Sequence, residues 1–174
     1  PNIIVLMSES FWDITRVKEL GFKEEMFPTY RNLQKTSLTG ELLTNVYNGG
    51  TVNSEFEAMT GFSVSYLPSE YMPYQRCLRP NFYSINSFLE SSGYDSLAIH
   101  PFEKTNYNRN AAYEYMDFDK TVWEDDFDAN ADRMRGYISD HALTEKIIEE
   151  YKKHKAESNS PWFNLSVSMQ NHGG

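Results

Sequence analysis

Short apolar runs that end in polar residues constrain the fold of this chain more than any other feature of the sequence. Glu9, His100 and His172 each stand just beyond such a run. Runs this short and this apolar are typical of strands in a parallel sheet, and the first predicts a strand buried on both faces. The predicted strands are residues 3–7, 38–47, 96–99 and 162–169.

Helical segments are predicted between these runs. One follows Thr51 and ends near Gly61, and its residues Ser54 and Glu57 have the spacing of a capping box. Pro28 is expected to close off any long helix in the segment that follows the first strand. Alternating strands and helices predict a layered α/β fold with helices on both faces of the sheet. Two further helices are predicted over residues 84–92 and from about 139 to 155.

Thr51 is a candidate nucleophile because its hydroxyl follows Gly49 and Gly50 and precedes a helix. Glycine allows a ligand to approach the backbone closely, and the first N–H groups of a helix attract phosphate or sulfate. The structural alternative is a glycine turn followed by a capped helix. Strand ends collect ligands in open α/β sheets, so the sequence predicts one ligand crevice that Glu9, His100 and His172 share.

These residue types suggest a metal-assisted nucleophile. A carboxylate such as Glu9 could hold a divalent ion that activates Thr51, and Arg109 could bind a phosphate or sulfate through two N–H groups. Each residue also has a structural alternative. Glu9 could cap a helix, His100 and His172 could be satisfied core histidines, and Arg109 could pair with one of the acidic residues.

Charge and composition exclude some partners. The 16 Lys and Arg against 25 Asp and Glu give a net charge of −9, which argues against a nucleic-acid surface. The single cysteine, Cys77, cannot form an internal disulfide. The sequence shows neither a signal peptide nor a membrane-spanning apolar run, and both ends are typical of a cut within a longer protein.

Five segments in this order resemble the extracellular catalytic domain of the lipoteichoic acid synthase family. They read NIIVLMSESFWD, YNGGTVNSEFEAMTGFSVSYLP, SLAIHPFEKTNYNRN, GYISD and SVSMQNHG. The family consists of phosphoglycerol transferases within the sulfatase and alkaline-phosphatase-like superfamily. The resemblance covers nearly the whole chain, so residues 1–174 are expected to form a single partial domain that lacks its C-terminal part.

The resemblance implies a reaction and the residues that carry it. Glycerol phosphate would pass from phosphatidylglycerol to Thr51, and then to a glycerol-phosphate polymer or a glycolipid acceptor. Glu9 and Thr51 would bind one divalent metal, Mn²⁺ in preference to Mg²⁺ or Zn²⁺. The residues that would bind the phosphate and glycerol of the substrate are His100, Tyr107, Arg109 and His172.

A location is also implied by the resemblance. Lipid donors require a membrane, so a segment outside this chain would anchor the protein in a bacterial cell membrane with the catalytic domain facing outside. The acidic surface of the chain gives no electrostatic attraction to anionic lipid.

Two differences from the family pattern stand out. The family often has an acidic residue two positions after the histidine, where this chain has Phe102 and then Glu103. Family members also complete the metal site with a later Asp-His pair. The pair Asp140-His141 lies before the motif Gln170-Asn171-His172, which is the wrong order to replace the later pair, and Asp140-His141 is interpreted as a helix cap and its neighbour. The 174-residue chain alone is therefore expected to be inactive or nearly so.

Several alternatives remain open at this point. A phosphoethanolamine transferase also uses a threonine nucleophile, and a phosphatase would share much of the site. A sulfatase requires Cys or Ser in a C/S-x-P-x-R stretch, which Thr51 does not have. A non-catalytic module that binds glycopolymers or lipid head groups is a further possibility, as is an α/β domain whose polar residues are purely structural.

Overall fold

The structure is a computed structural model that describes residues 1–46, 50–68 and 70–173. The chain divides into two compact units. One contains residues 1–10 together with the residues from 45 onward, and the other contains residues 11–44. The expectation that residues 1–174 belong to one partial domain stays a prediction.

The first unit is built on a parallel sheet whose order is β1-β6-β2-β3. Val5 of β1 pairs with Leu165 of β6, and Leu97 of β2 pairs with Asn164 of the same strand. A two-stranded antiparallel ribbon, β4-β5, lies apart from this sheet. The strands are β1 Ile3–Met7, β2 Asp95–Ile99, β3 Lys120–Val122, β4 Arg133–Met134, β5 Tyr137–Ile138 and β6 Trp162–Val167.

The first and the last predicted strands differ in burial. Every residue of β6 is buried, because β1 and β2 flank it and helices cover both of its faces. In β1 the burial alternates, and Ile4 and Leu6 are each 54% exposed. The prediction that β1 is buried on both faces is wrong for the described part of the chain, where β1 lies at an edge of the sheet.

The predicted strand at residues 38–47 is absent from its described part. Residues 38–46 form no strand, and the leucines Leu38, Leu42 and Leu43 are largely exposed. Tyr47 lies outside the described residues. An apolar run with no neighbouring strand cannot satisfy its backbone hydrogen bonds as a sheet. The three-residue strand β3 was not predicted, since it is too short to show a pattern.

Helices cover both faces of the sheet, as predicted. Side chains alternate between the two faces of a strand, and the two buried clusters follow that alternation. Ala98 and Phe163 pack in a cluster with residues of α2 to α5, whereas Leu97 and Trp162 pack in a cluster with α6. The helices are α1 Pro28–Thr36, α2 Thr51–Thr60, α3 Pro73–Arg76, α4 Ile85–Ser91, α5 Arg109–Tyr115 and α6 Asp140–Glu157.

The helix starts show which capping predictions hold. Ser84 caps α4 and Ser139 caps α6, each by accepting a hydrogen bond from a backbone N–H of the first turn. Asp140 is therefore the first helical residue of α6 and not its cap. The predicted capping box of Ser54 and Glu57 is wrong, because α2 begins earlier, at Thr51.

The unit of residues 11–44 contains α1 and two short 3-10 helices. Pro28 is the first residue of α1, where its missing N–H costs nothing, so it begins a helix that we expected it to prevent. Arg31 on α1 donates to Asp13 Oδ2 at 2.6 Å and so links α1 to the segment that precedes it. No helix in the described ranges is long and apolar enough to cross a membrane.

Candidate active site

Thr51 and Glu9 meet at the carboxyl end of the sheet. Thr51 is the first residue of α2, and its Oγ1 donates a hydrogen bond to Glu9 Oε1 at 2.8 Å. Glu9 follows β1 by two residues and is 7% exposed. The two residues that the sequence predicted as metal ligands are therefore direct neighbours, although they are 42 positions apart in the chain.

Gly50 sets the position of Thr51. It is the N-cap of α2 and has a φ of 80°, a left-handed conformation that favours glycine. A Cβ at this position would lie 3.5 Å from Val46 Cγ1, an ordinary contact, so the backbone conformation alone creates the requirement for glycine. Gly49, the other member of the predicted glycine pair, lies outside the described residues.

The backbone N–H of Glu9 is hydrogen-bonded, whereas one oxygen of its carboxylate has no partner among the described residues. Its N–H donates to Ser168 Oγ at 3.1 Å, which ties the residue to the chain just beyond β6. Glu9 Oε2 is buried, and no donor among the described residues reaches it. An unpaired buried carboxylate oxygen is costly, and a cation is one way to satisfy it. The pair of Glu9 and Thr51 therefore fits a divalent metal through oxygen ligands, although it supplies too few ligands to complete a site.

A second carboxylate, that of Asp140, lies near the residues that follow β6. The Asp140 N–H donates to Gln170 Oε1 at 2.9 Å, and Asp140 Oδ1 is buried without a partner in the described part of the chain. Burial raises the pKa of Asp140, and the Ser168 hydroxyl partly offsets that rise. Even so, the described residues contain no group of three or more His, Cys, Asp or Glu side chains that could hold a metal ion.

His100 is a fully buried neutral donor and acceptor. Its Nδ1 lies 3.1 Å from Val167 O, which can only accept, so Nδ1 carries the proton. Its Nε2 accepts from Arg109 Nη1 at 3.1 Å. Burial first, and the Arg109 charge second, lower the pKa of His100 to about 3. The side chain is therefore neutral at physiological pH.

Arg109 is anchored to a buried carboxylate. Its Nε donates to Glu55 Oε2 at 3.0 Å, and the side chains of Arg109 and Glu55 are 2% and 0% exposed. Burial acts to lower the pKa of Arg109, but the neighbouring Glu55 raises it, and the net pKa lies above the ordinary value. The structural alternative for Arg109, a pairing with an acidic residue, is thus confirmed. Its predicted contact with a substrate anion stays a prediction.

Two tyrosines complete the hydrogen bonding of Glu55. Tyr74 and Tyr113 donate their hydroxyls to Glu55 Oε1 at 3.0 and 2.7 Å. Burial and the Glu55 charge raise the pKa values of both tyrosines, so both stay protonated donors. Sequence reasoning missed Glu55, although a signal was present. With Val52, Phe56 and Met59 it occupies the apolar face of α2, where a carboxylate needs a buried partner.

The backbone before Arg109 is in a rare conformation. Tyr107 and Asn108 have φ values of 54° and 63°, in the left-handed region. The Asn108 amide donates to Tyr74 O at 3.0 Å and stabilises this turn. The Arg109 guanidinium lies 5.6 Å from the centre of the Tyr107 ring, within the range of a cation–π contact. Strain of this kind often accompanies functional sites.

His172 lies at the end of a series of packed rings. The ring pairs His100–Phe102, Phe102–Tyr137 and Tyr137–His172 have centroid distances of 6.3, 5.9 and 5.7 Å. His172 Nδ1 is buried and has no partner among the described residues. Phe102, the residue that differs from the family pattern, is therefore packed between the two histidines.

The predicted site residues form one connected arrangement. Thr51 and Glu55 lie one turn apart on α2, so the contact with Glu9 and the ion pair with Arg109 share a helix. Arg109 reaches His100, which bonds to Val167 O, and the next residue, Ser168, binds the Glu9 backbone. The geometry brings a hydroxyl, a carboxylate with an unpaired oxygen and an arginine to one end of the sheet. Such a set can bind and transfer a phosphoryl or sulfuryl group.

Comparison with known proteins gives two kinds of match. A family model described as sulfatase matches residues 1–174. A protein of Rhizobium meliloti strain 1021, provisionally named a cyclic beta-1,2-glucan modification protein, is 40% identical over 174 residues. That alignment covers 99% of this chain and 26% of the relative.

Two solved structures share the fold. The lipoteichoic acid synthase LtaP from Listeria monocytogenes has a TM-score of 0.82 and 21% identity, covering 98% of this chain and 41% of that one. The phosphoglycerol transferase GacH from Streptococcus pyogenes, in complex with sn-glycerol-1-phosphate, has a TM-score of 0.78 and 23% identity. It covers 98% of this chain and 44% of its own. The chain thus spans less than half the length of each of these proteins.

Proposed function

The chain belongs to the sulfatase family, and from that premise we propose that its protein transfers glycerol phosphate from phosphatidylglycerol to an acceptor in the cell envelope. The observation that carries the proposal is the contact between Thr51 Oγ1 and Glu9 Oε1 at 2.8 Å, with Glu9 Oε2 left unpaired. A hydroxyl at a helix start beside such a carboxylate suits a nucleophile that a metal activates.

The proposed reaction has two steps, with a phosphothreonine between them. Thr51 Oγ1 attacks phosphorus, an Oγ1–P bond forms, and the P–O bond to diacylglycerol breaks as that alcohol leaves with the proton. The oxygen of an acceptor hydroxyl then attacks phosphorus, an O–P bond to the acceptor forms, the Oγ1–P bond breaks, and the acceptor's proton passes to Thr51 Oγ1. Glu9 orients the Thr51 hydroxyl in the structure and would hold the cation together with it. A bound Mn²⁺, or Mg²⁺ or Zn²⁺, supplies a Lewis acid that lowers the pKa of the hydroxyl and neutralises phosphate charge.

The substrate would lie against the other predicted residues. We expect Arg109, which His100 Nε2 holds in place by accepting from Nη1, to donate hydrogen bonds to the phosphate, and Tyr107 and His172 to contact the glycerol. The unpaired Nδ1 of His172 and the strained backbone at Tyr107 support this arrangement. The GacH structure was solved with sn-glycerol-1-phosphate, and it supports a glycerol-phosphate ligand for this fold.

The acceptor and the location are also part of the proposal. The 40% identical relative is named for modification of a cyclic beta-1,2-glucan, which favours a glucan hydroxyl over a glycerol-phosphate polymer as the acceptor. A glycolipid acceptor would use the same chemistry. Because the donor is a lipid, the protein would work at a bacterial cell membrane with this domain facing outside.

Intact-protein mass spectrometry tests the donor and the nucleophile together. The full-length protein is incubated with Mn²⁺ and phosphatidylglycerol vesicles, and we expect a mass gain of one glycerol phosphate. Thr51→Ala should show no gain. Thr60→Ala is the matched control, because Thr60 lies at the other end of α2 and its hydroxyl bonds only to backbone groups, donating to Phe56 O and accepting from the Phe62 N–H. It should keep the adduct.

Other outcomes point to other members of the superfamily. An adduct with phosphatidylethanolamine alone would replace the proposal with a phosphoethanolamine transferase. Release of free glycerol phosphate without an acceptor would indicate a hydrolase. The absence of an adduct and of any product, with metal bound, would favour a non-catalytic module that binds lipid head groups or glycopolymers.

A further inference from the structure

Glu55 has no part in the reaction as described, yet its contacts are the most completely buried polar contacts of the site. Its carboxylate accepts from Arg109, Tyr74 and Tyr113 within 3.0 Å, and the side chain is 0% exposed. A buried carboxylate with three donors is fixed in place, and it fixes its partners in return. Removing one member of such a set leaves a costly unpaired group.

The charges around Arg109 add up to zero. Arg109 and Glu55 form an ion pair at 3.0 Å, and both tyrosines are neutral. His100, the other partner of Arg109, is neutral as well. This side of the crevice therefore offers N–H donors to an anion without offering net positive charge.

We propose that Glu55 is a positioning residue that orients Arg109 and, by cancelling its charge, makes the site favour a singly charged phosphodiester over a doubly charged phosphomonoester. The inference rests on the proposed function, since it assumes that phosphate binds beside Arg109. Orientation follows from the bond to Nε, which leaves Nη1 directed at His100. Discrimination follows from Coulomb's law, since each unit of net positive charge stabilises the second phosphate charge as much as the first.

A preference for singly charged phosphodiesters matches the charges of the donor and the product. A phosphatidyl donor and a glycan-linked product are both phosphodiesters with one negative charge, whereas free glycerol phosphate and inorganic phosphate carry about two at neutral pH. A site without net charge beside the arginine binds donor and product while discriminating against free phosphate. Such a site resists inhibition by phosphate in the medium.

Glu55→Gln changes the charge and can keep the contacts. The glutamine Oε1 can accept from Arg109 Nε, and its NH₂ can donate to the hydroxyl oxygens of Tyr74 and Tyr113, which also accept. The variant raises the charge of the Arg109 side of the crevice by one unit while preserving the position of Arg109.

The test compares two small probes without a glycerol or lipid group. Calorimetric titration of the full-length protein with Mn²⁺ at pH 8 measures the affinities for methyl phosphate, a dianion, and dimethyl phosphate, a monoanion. Glu55→Gln should raise the ratio of the two affinities roughly tenfold, the effect of one unit charge at about 10 Å and an effective dielectric constant of about 20. A uniform loss of structure would lower both affinities and leave the ratio unchanged.

Two further variants complete the test. Tyr113→Phe removes a donor from Glu55 without changing any charge, so the ratio should stay within about twofold of the wild type. Arg109→Gln leaves the negative charge of Glu55 without a counter-charge, so the ratio of the affinity for methyl phosphate to that for dimethyl phosphate should fall. This variant tests the proposal if Glu55→Gln does not fold. An unchanged ratio in the charge variants would overturn the proposal. An adduct with phosphatidylglycerol is scored separately, so failure of the proposed function would not be mistaken for failure of this one.

Discussion

His100 links the site to the pH dependence of folding. Burial and Arg109 lower the pKa of His100 to about 3 in the folded protein, against 6.5 for an unperturbed histidine. As the pH falls below 6.5 the unfolded chain binds this proton and the folded chain does not, so stability is lost between pH 6.5 and about 3. Above pH 6.5 the group costs nothing.

We expect the free energy of unfolding to fall by up to about 1.4 kcal/mol per pH unit from this residue alone. Urea denaturation from pH 8 to pH 4 measures the slope, and His100→Gln should reduce it by that amount. The exposed His141 supplies the control, and His141→Gln should leave the slope as it is. Equal slopes in all three proteins would mean that folding does not shift the pKa of His100.

Single residues also show how far the site could be predicted from sequence. The meeting of Thr51 with Glu9 followed from the strand-end rule and the glycine turn, and the structure places the two 2.8 Å apart. The partner of Arg109 could not be chosen among the acidic residues, because Glu55 is 54 positions away and only the packing of α2 against α5 brings the two together. Roles in substrate binding for His100, Tyr107, Arg109 and His172 stay predictions.

At the scale of elements, α2 begins and ends in a left-handed glycine. Gly50 has a φ of 80° and Gly61 a φ of 72°, and an alanine at either position would be strained without a serious clash. Each substitution should cost about 1 kcal/mol of stability. Only Gly50→Ala moves the residue next to it, Thr51, so only that variant should slow adduct formation, by roughly tenfold.

The two glycine variants are compared in one assay. Thermal unfolding gives the change in stability, and time-resolved mass spectrometry with phosphatidylglycerol gives the rate of adduct formation. If Gly61→Ala slowed the reaction as much as Gly50→Ala, the loss would come from the helix as a whole and not from the placement of Thr51.

Helices and strands were predicted correctly where the hydrophobic pattern of a segment matched its surroundings in the fold. The apolar run of β6 has a strand on each side and is buried throughout, so both its sequence and its place in the sheet favour a strand. Residues 38–46 are also rich in leucine, but within the described residues they pair with no strand and are irregular. Backbone pairing depends on neighbours that local sequence does not show. The helix α3 was missed because four residues are too few for a helical period, and α5 was missed because the charged Arg109 shares its buried face with Ala112 and Tyr113.

The whole sheet depends on one strand. β6 pairs with β1 through residues 163–167 and with β2 through residues 162–166, so it joins the first described strand to the rest of the sheet. Leu165 points into the larger buried cluster and is 2% exposed. Leu165→Ala should therefore lower the free energy of unfolding by about 2–5 kcal/mol.

The control for this prediction is Ile148→Ala on α6, where the side chain is 38% exposed. It should cost about 1 kcal/mol or less, because little apolar surface is uncovered. Chemical denaturation of both variants provides the comparison. Similar losses for the two would show that the sheet is not the part of the molecule that limits stability.

The strand order also dictates when the protein can fold during its synthesis. The ribosome makes β1 first, but its neighbour β6 is about 160 residues later, and β2 waits for the same strand. β1 must remain unpaired, and β2 can pair only with β3, until almost the entire described chain has been made. A partly made chain therefore has no complete sheet, and its open strand edges make it prone to aggregate until β6 is added.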